Sequence, residues 1–158
     1  PVVNRKVKIK INTREHTNAK PYLKKHFTVN NRWFTGDSDV LTYELEELMG
    51  TKLRALYQRK KGRDLYDFWY AHKKIYHLDT TSIMNIFNHY MHKENTQISR
   101  AEFERNLTLK QKSKIFDNDI QALLSFEQKK QYDLSEAYEI VFNEFLSKLA
   151  GEPWKGMS

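Results

Sequence analysis

The chain contains no cysteine, so it can form neither a disulfide nor a thiolate zinc site, and it suits a reducing compartment. Its five glycines are scattered and do not form the glycine-rich loop with which P-loop proteins bind phosphates. No apolar run is long enough for a transmembrane helix, and the basic start lacks both the apolar block and the cleavage site of a signal peptide. We therefore expect a cytoplasmic protein with no membrane partner.

The composition is typical of a globular domain with a basic surface. Of the 158 residues, 39% are hydrophobic and 13% are aromatic, which is enough for one compact core. The formal net charge of +7 favours polyanionic partners, namely nucleic acid or nucleotide phosphates, although a generic basic surface has the same charge. Because the chain begins with Pro1 and enters a strand-like pattern almost at once, we expect a fragment or a processed product of a longer protein.

The first forty or so residues show the two-residue period of β-strands. Residues 5–15 alternate between apolar and mostly basic side chains, which predicts a half-buried strand with a basic outer face. Residues 26–34 form a second β-rich piece, and the TGDSD segment at 35–39 predicts a turn after it. Two or three strands cannot close a core, so they must pack on helices or pair with strands outside this chain.

The rest of the chain shows the period of amphipathic helices. We predict helices over residues 42–60, 64–76, 80–91, 99–112, 117–126 and 134–150. Gly62 is the predicted stop of the first helix, and Asp79 or Thr80 is the predicted cap of the third, whose apolar stripe consists of Ile83, Ile86, Phe87, Tyr90 and Met91. The predicted fold class is α+β, with a small antiparallel or mixed sheet fragment at the N-terminus followed by a mainly α-helical bundle. We expect a single compact unit whose parts are a β-rich edge at 1–42, a helical domain at 43–150 and a tail at 151–158.

One lysine of the first predicted helix stands where its pattern calls for an apolar residue. At about 100° per residue, four apolar side chains form one stripe: Leu45, Leu48, Met49 and Leu56. Lys52 falls near the middle of this stripe, and Arg59 follows it two turns later on the same line. Such a lysine either extends along the edge of the core to solvent or meets an anion. The second cation favours an anion site, where an ammonium suits a terminal phosphate and a guanidinium suits bidentate contact.

Two aspartates follow the two cations. Asp64 and Asp67 are three residues apart, so they share one side of their helix. Asp64 either caps that helix, or orients Lys52 or transfers a proton next to a bound triphosphate. Asp67 is also placed to form an i, i+4 surface pair with Arg63. The spacing alone does not show which of these roles Asp64 and Asp67 have.

The stretch that contains these residues, YELEELMGTKLRALYQRKKGRDLYDFWYA at 43–71, resembles the AbiEii/AbiGii family of toxin nucleotidyltransferases, within the polymerase-β-like nucleotidyltransferase superfamily. The resembling motif is a lysine, an alanine and basic cluster, and then Arg-Asp and a second Asp before aromatic residues: Lys52, Ala55, Arg59, Arg63, Asp64, Asp67 and Trp69. The preceding KIKINTRE and RWF segments are similar to strands of the same family.

The resemblance implies a metal-dependent transfer of a nucleotide from a nucleoside triphosphate (NTP) to an RNA acceptor such as tRNA. It also implies a bacterial toxin–antitoxin or abortive-infection setting with an antitoxin partner, and Mg²⁺ as cofactor. Carried over by residue, Lys52 holds the triphosphate and is part of the catalytic site. Arg59 and Arg63 bind the nucleotide phosphates or the acceptor. Asp64 is the catalytic or orienting acid, and Asp67 fixes the local helix.

The sequence departs from the family pattern in two places. The Gly-Ser and Asp-x-Asp motif that binds magnesium should precede the strands, and we interpret Asp37-Ser38-Asp39 as turn residues rather than as this motif. Lys10 also stands at a strand position that is often acidic in the family. We therefore expect the metal ligands to lie outside this chain, which would be the C-terminal part of a nucleotidyltransferase and inactive alone. The alternative is a truncated, non-catalytic basic module that binds nucleic acid or a partner protein.

Three further groups have structural or binding interpretations. His89 and His92 have the spacing of helical zinc ligands, but without a third ligand they are interpreted as surface residues. The segment Asp117-Asn118-Asp119 predicts a helix cap. In the aromatic run after Asp64, Phe68 and Trp69 fall on the apolar stripe, which leaves Tyr66 and Tyr70 as outward candidates for stacking on a base.

Overall fold

The computed structural model describes residues 17–156, so the predicted strand at 5–15, with Lys10, lies outside the described residues. The described part is a two-stranded antiparallel sheet followed by seven α-helices, which confirms the predicted α+β class. The elements are β1 (Leu23–Asn30), β2 (Thr35–Thr42), α1 (Leu45–Gln58), α2 (Gly62–Lys74), α3 (Thr80–Lys93), α4 (Arg100–Gln111), α5 (Lys114–Asn118), α6 (Phe126–Gln131) and α7 (Leu134–Ile140). A π-helical turn, Val141–Phe145, and a 3₁₀ turn, Leu146–Lys148, extend α7.

The two strands form a hairpin whose turn lies earlier than predicted. The Asn31 side chain accepts hydrogen bonds of 3.0 Å from the backbone N–H groups of Trp33 and Phe34, so it closes an Asx turn between the strands. The TGDSD segment, predicted as a turn, is instead the first part of β2, and its Asp39 lies opposite His26. A polar sequence is tolerated in this strand because both faces of the hairpin are largely exposed.

A buried carboxylate attaches the segment before the hairpin to the helices. Glu47 of α1 is fully buried and accepts hydrogen bonds of 3.1 Å from the backbone N–H groups of Ala19 and Lys20. The Tyr90 hydroxyl of α3 donates to the same carboxylate. Several donors thus offset the cost of burying this carboxylate, and they connect the chain before β1 to α1 and α3.

Helix α1 packs on α3 through a face that is rotated from the predicted stripe. Met49, Leu53 and Leu56 are buried, but Leu48, predicted as part of the apolar stripe, is exposed. Gly50 permits the close approach, since a Cβ atom there would lie 2.6 Å from a methyl carbon of Ile86. The buried face is therefore centred nearer Leu53 than Leu45, and Lys52 lies at its rim rather than in its middle.

The third and fourth helices begin as predicted. Asp79 caps α3 by accepting a 2.9 Å hydrogen bond from the Ser82 N–H, and Ser99 caps α4 in the same way from Glu102. The predicted apolar stripe of α3 is buried: Ile83, Ile86, Phe87, Tyr90 and Met91. Each such fully buried large side chain stabilises the fold by about 1.5–3 kcal/mol relative to exposure.

The region after α4 differs most from the prediction. The single helix predicted at 117–126 is wrong: α5 ends at Asn118, turns follow, and α6 begins after Ser125, which forms a capping box with Gln128. The last helix begins as predicted, with Asp133 accepting from the Glu136 N–H at 3.0 Å. Its extension brings Phe145 edge-on to Phe68 of α2, with ring centroids 4.9 Å apart. Within residues 17–156, no helix is long and apolar enough to cross a membrane.

Candidate functional site

The predicted site residues lie where α1 passes into α2. Helix α1 ends at Gln58, and the next helix begins at Gly62, so only three residues link them. Gly62, predicted to end the first helix, is the first residue of the second. A Cβ atom at Gly62 would lie 2.1 Å from the Phe116 carbonyl oxygen, so only glycine allows α2 to start this close to α5.

Arg59 and Asp64 form a bidentate ion pair across this link. The Arg59 Nε and Nη2 atoms each lie 2.8 Å from a different Asp64 carboxylate oxygen. The Asp64 side chain is 1% exposed, whereas the Arg59 side chain is 56% exposed. The hydrogen bonds that Arg59 donates to Asp64 raise the pKa of Arg59. Asp64 therefore holds the guanidinium in one orientation at the surface, and its side chain does not cap the helix, whose N-cap is Lys61.

Lys52 pairs with the second aspartate. Its Nζ atom donates to the Asp67 carboxylate, and the two side chains are 29% and 32% exposed. The acid that holds Lys52 is thus Asp67 and not Asp64. The lysine head lies at a half-open rim, where it meets a carboxylate of the neighbouring helix and still has contact with solvent.

Arg63 pairs with a residue that is distant in sequence. Its Nε and Nη2 atoms lie 2.9 and 3.1 Å from the Asp119 carboxylate, which Lys61 also approaches at 3.3 Å. The hydrogen bond from Arg63 lowers the pKa of Asp119 to about 2, and Lys61 adds to the effect. Arg63 therefore does not form the predicted pair with Asp67. The predicted cap at residues 117–119 lies at the end of α5, where Asp119 is the C-cap residue and its backbone N–H donates to the Phe116 carbonyl oxygen.

A buried lysine of α4, which the sequence did not indicate, supports the same junction. Lys110 is 4% exposed. Its Nζ atom donates hydrogen bonds to the carbonyl oxygen of Leu56 and, at 2.8 Å, to that of Tyr57. These carbonyls belong to the last turn of α1, which has no intrahelical donors for them. Burial lowers the pKa of Lys110 to about 8, while the Asp64 charge opposes this change. Lys110 thus fixes the end of α1 from which Arg59 extends.

The junction brings together all five site residues that the sequence predicted. Arg63 lowers and Asp67 raises the pKa of Arg59, both less than Asp64 does, so these charges lie close enough to interact. Six cationic and three acidic side chains meet here: Lys52, Arg59, Lys60, Lys61, Arg63 and Lys110 with Asp64, Asp67 and Asp119. The positive side chains outnumber the negative ones by three, which favours the binding of an anion at this surface.

The acids of the described chain do not form a metal site. Across residues 17–156, no three His, Asp or Glu side chains are grouped so that they could hold a metal ion. Asp37 and Asp39, predicted as turn residues, lie in β2 and approach the His26 ring at 3.8 and 3.1 Å. The hydrogen bond from Lys24, and then that from His26, lowers the pKa of Asp39. His89 and His92 are exposed on α3. We therefore assign no metal ligand among these residues.

The sequence matches the model of a known protein family. The family model described as "Nucleotidyl transferase AbiEii toxin, Type IV TA system" matches residues 2–144, which is nearly the whole chain. No curated protein and no solved structure matches the chain. The matched range contains α1, α2 and every residue of the charged junction. The chain therefore belongs to the AbiEii family of toxin nucleotidyltransferases of type IV toxin–antitoxin systems.

Proposed function

We propose that the junction of α1 and α2 binds the triphosphate of an NTP, from which a nucleotide is transferred to an RNA acceptor such as tRNA. The observation that carries this proposal is the orientation of Lys52 and Arg59, each held by a carboxylate while its head remains partly exposed. Heads fixed in this way lose less conformational entropy when they bind a phosphate. Family membership supports the reaction class, a nucleotidyl transfer by a toxin that has an antitoxin partner.

Lys52 and Arg59 each have N–H donors that their aspartates do not use and that can bind phosphate oxygens. A guanidinium has five N–H donors, of which Asp64 takes two from Arg59. An ammonium has three, of which Asp67 takes one from Lys52. Lys52 and Arg59 are seven residues apart, which corresponds to about 10.5 Å along the α1 axis. This spacing lets the two heads contact different parts of an extended polyphosphate.

Asp64 is better suited to orient a cation than to accept a proton. Its two carboxylate oxygens are both engaged by Arg59, and the side chain is almost completely buried. A general base must reach the proton that it removes within hydrogen-bonding distance. Of the two roles that the resemblance implied for Asp64, we propose the orienting role, and we propose that Asp67 orients Lys52 in the same way.

A divalent metal usually accompanies nucleotidyl transfer, where it neutralises the triphosphate and activates the attacking hydroxyl. The carboxylates of the junction are already paired with cations, so we give them no share in metal binding. We propose that residues 17–156 contribute phosphate binding and the orientation of the triphosphate.

Nucleotide titrations test the assignment of Lys52. Binding of a fluorescent NTP analogue is measured in the presence of Mg²⁺ for the wild type, Lys52→Met and Lys112→Met. Lys112 is an exposed residue just after α4 that takes part in none of the ion pairs of the junction, so its variant loses the same charge without removing a proposed phosphate ligand. Because a hydrogen bond to a charged group contributes about 1.5–3 kcal/mol, we expect Lys52→Met to weaken binding about 10- to 150-fold. We expect Lys112→Met to bind like the wild type.

A second assay separates transfer from simple binding. An NTP labelled at the α-phosphate is incubated with Mg²⁺, tRNA and the full-length protein, including the segment expected to supply the metal ligands, and the label that enters the RNA is counted. Label in the RNA with wild type and Lys112→Met, but not with Lys52→Met, would support the proposal. Equal NTP binding by Lys52→Met and wild type would overturn the role of Lys52. Tight RNA binding without any transfer would favour a non-catalytic basic module instead.

A further inference from the structure

A pocket lies beside the charged junction, between α2 and α6. Its volume is about 310 Å³, and it is lined mainly by one face of α2 and by two glutamines of α6. The lining residues are Tyr66, Trp69, Tyr70, Lys73, Lys74, Gln128 and Gln131. Aromatic rings and cationic side chains thus occur together around one open cavity.

The aromatic wall of the pocket is preformed. The rings of Tyr66 and Tyr70 are nearly parallel, at 27°, with centroids 5.9 Å apart. Tyr132 packs edge-on against both Tyr66 and Trp69, at 5.1 and 5.2 Å. Tyr70 is 45% exposed and lines the cavity, so its ring can bind a ligand at little cost in side-chain entropy.

The polar groups around the wall are partly fixed. Glu136 of α7 accepts a 2.8 Å hydrogen bond from the Trp69 indole N–H and also pairs with Lys73. The Gln128 side chain is held by its capping box with Ser125. Lys74 and Gln131 are exposed at the rim. The rim therefore offers a cation and a carboxamide next to a rigid aromatic surface.

The pocket continues the surface that holds Lys52. Asp67, Tyr70 and Lys74 follow one another at i, i+3 and i+7, so they share one side of α2. Tyr70 lies about 4.5 Å and Lys74 about 10.5 Å beyond Asp67 along the helix axis. Arg59 and Arg63 lie at the opposite end of α2, where the helix begins.

We propose that this pocket binds one unpaired nucleotide of a single-stranded RNA, whose base stacks on Tyr70 and whose phosphate contacts Lys74. Base stacking on aromatic side chains with nearby cations is the usual way in which proteins hold unpaired RNA. That this RNA is the acceptor of the nucleotide rests on the proposed function. Binding of RNA in the pocket does not depend on that function.

The base of an NTP is the alternative ligand for this pocket, because it could stack on the same ring. In the proposed site the triphosphate contacts Lys52 and Arg59, and Lys52 is held by Asp67, one turn before Tyr70. The base of such an NTP could reach Tyr70, but Lys74, about 6 Å beyond Tyr70 along the helix axis, would then have no phosphate to contact. An RNA strand carries a phosphate on each side of its base, so the position of Lys74 favours a strand.

Binding of a labelled single-stranded RNA 12-mer, followed by fluorescence anisotropy, tests the pocket. We expect Tyr70→Ala to weaken RNA binding about 5- to 150-fold, which is the usual range for the loss of one stacked base. Tyr76→Ala is the matched control, because Tyr76 follows the same helix but is 88% exposed and lies outside the pocket. It should bind RNA like the wild type. Tyr70→Phe keeps the ring and should also retain binding.

The lysine is tested by the dependence of RNA binding on salt. Removal of one phosphate contact should reduce the slope of log K against log salt concentration by about 0.7 for a single strand. We expect this reduction for Lys74→Gln and not for Lys112→Gln, which loses the same charge elsewhere. NTP binding is measured in parallel and should not change for Tyr70→Ala.

The outcomes separate this proposal from the proposed function. RNA binding that is equal for Tyr70→Ala and Tyr76→Ala would overturn the pocket assignment. Weaker NTP binding by Tyr70→Ala with unchanged RNA binding would also overturn it, and would assign the pocket to the NTP base. A loss of RNA binding in Tyr70→Ala supports the pocket even if Lys52→Met binds NTP normally, a result that refutes only the phosphate site.

Discussion

The two ion pairs of the junction should contribute very differently to stability. We consider two double-mutant cycles, one that combines Asp64→Asn with Arg59→Gln and one that combines Asp67→Asn with Lys52→Met. Each cycle isolates the interaction within its pair, since the effects of the single changes on the rest of the protein cancel. Both pairs connect α2 to α1 or to the link that follows it, so each serves as a control for the other.

The magnitudes follow from burial and geometry. Asp64 is 1% exposed and accepts two hydrogen bonds of 2.8 Å from a guanidinium. Charge-assisted bonds contribute about 1.5–3 kcal/mol each, but Arg59 is more than half exposed, and we expect a coupling of about 2 kcal/mol after screening. Lys52 and Asp67 make one contact at a rim where both are about a third exposed, so we expect about 0.5 kcal/mol.

Urea unfolding followed by circular dichroism measures both cycles. Asp64→Asn alone removes a buried charge partner, and we expect it to lower the unfolding free energy by about 2–3 kcal/mol. With a slope of about 2 kcal/mol per molar urea, the midpoint should fall by about 1–1.5 M. We expect the Lys52→Met midpoint to move by less than about 0.5 M.

A coupling below about 0.5 kcal/mol between Arg59 and Asp64 would refute this reasoning, because a pair with this geometry and burial should exceed a surface pair. It would also remove the basis for the orienting role of Asp64. A large coupling between Lys52 and Asp67 would show that Lys52 is mainly structural, and its nucleotide-binding role would lose support.

Two further changes test the packing around the junction. Asp119→Asn should lower the unfolding free energy by about 1 kcal/mol at pH 7, after allowance for its exposed partners. Because Arg63 lowers the folded pKa of Asp119 to about 2, the pair stabilises the fold above about pH 4, and the difference from wild type in urea melts should shrink as the pH falls toward 2. Gly50→Ala should destabilise by about 1 kcal/mol despite the better helix propensity of alanine, since the new methyl group would overlap Ile86. Thermal melts should show that adding Ile86→Ala costs less in the Gly50→Ala background than in the wild type; additive losses would contradict the proposed contact.

Local signals in the sequence predicted some elements well. The apolar stripe of α3 and its Asp79 cap both depend on residues within one helix, and the structure confirms them. The position of the hairpin turn was missed because TGDSD has turn composition, whereas Asn31 closes the turn through two side-chain bonds. A polar segment can form a strand when neither face is buried, and composition alone does not show this.

Buried charges were missed for a different reason. Glu47 and Lys110 lie inside the fold only because donors or acceptors from distant segments meet them there. Periodicity assigns charged positions to the outer face of a helix, so it carries no signal for such residues. The partner of Arg63 was missed likewise, since Asp119 is 56 residues away and arrives through the packing of α5 on α2.

The antiparallel arrangement of α1 and α2, which are joined by a short link near residue 60, explains the spacing of the charged motif. Residues at similar distances before and after the link face one another, so Arg59 meets Asp64 as the inner pair and Lys52 meets Asp67 as the outer pair. Lys52 and Arg59 thus each have an acid of α2 that fixes the charged group, and both charged groups remain partly exposed to solvent. The acids therefore belong to the same unit as the cations, because they determine where the positive heads stand when an anion arrives. It follows that changes at Asp64 or Asp67 alter both stability and orientation. The exposed heads of Lys52 and Arg59 are the places where phosphate binding can be tested separately from the fold.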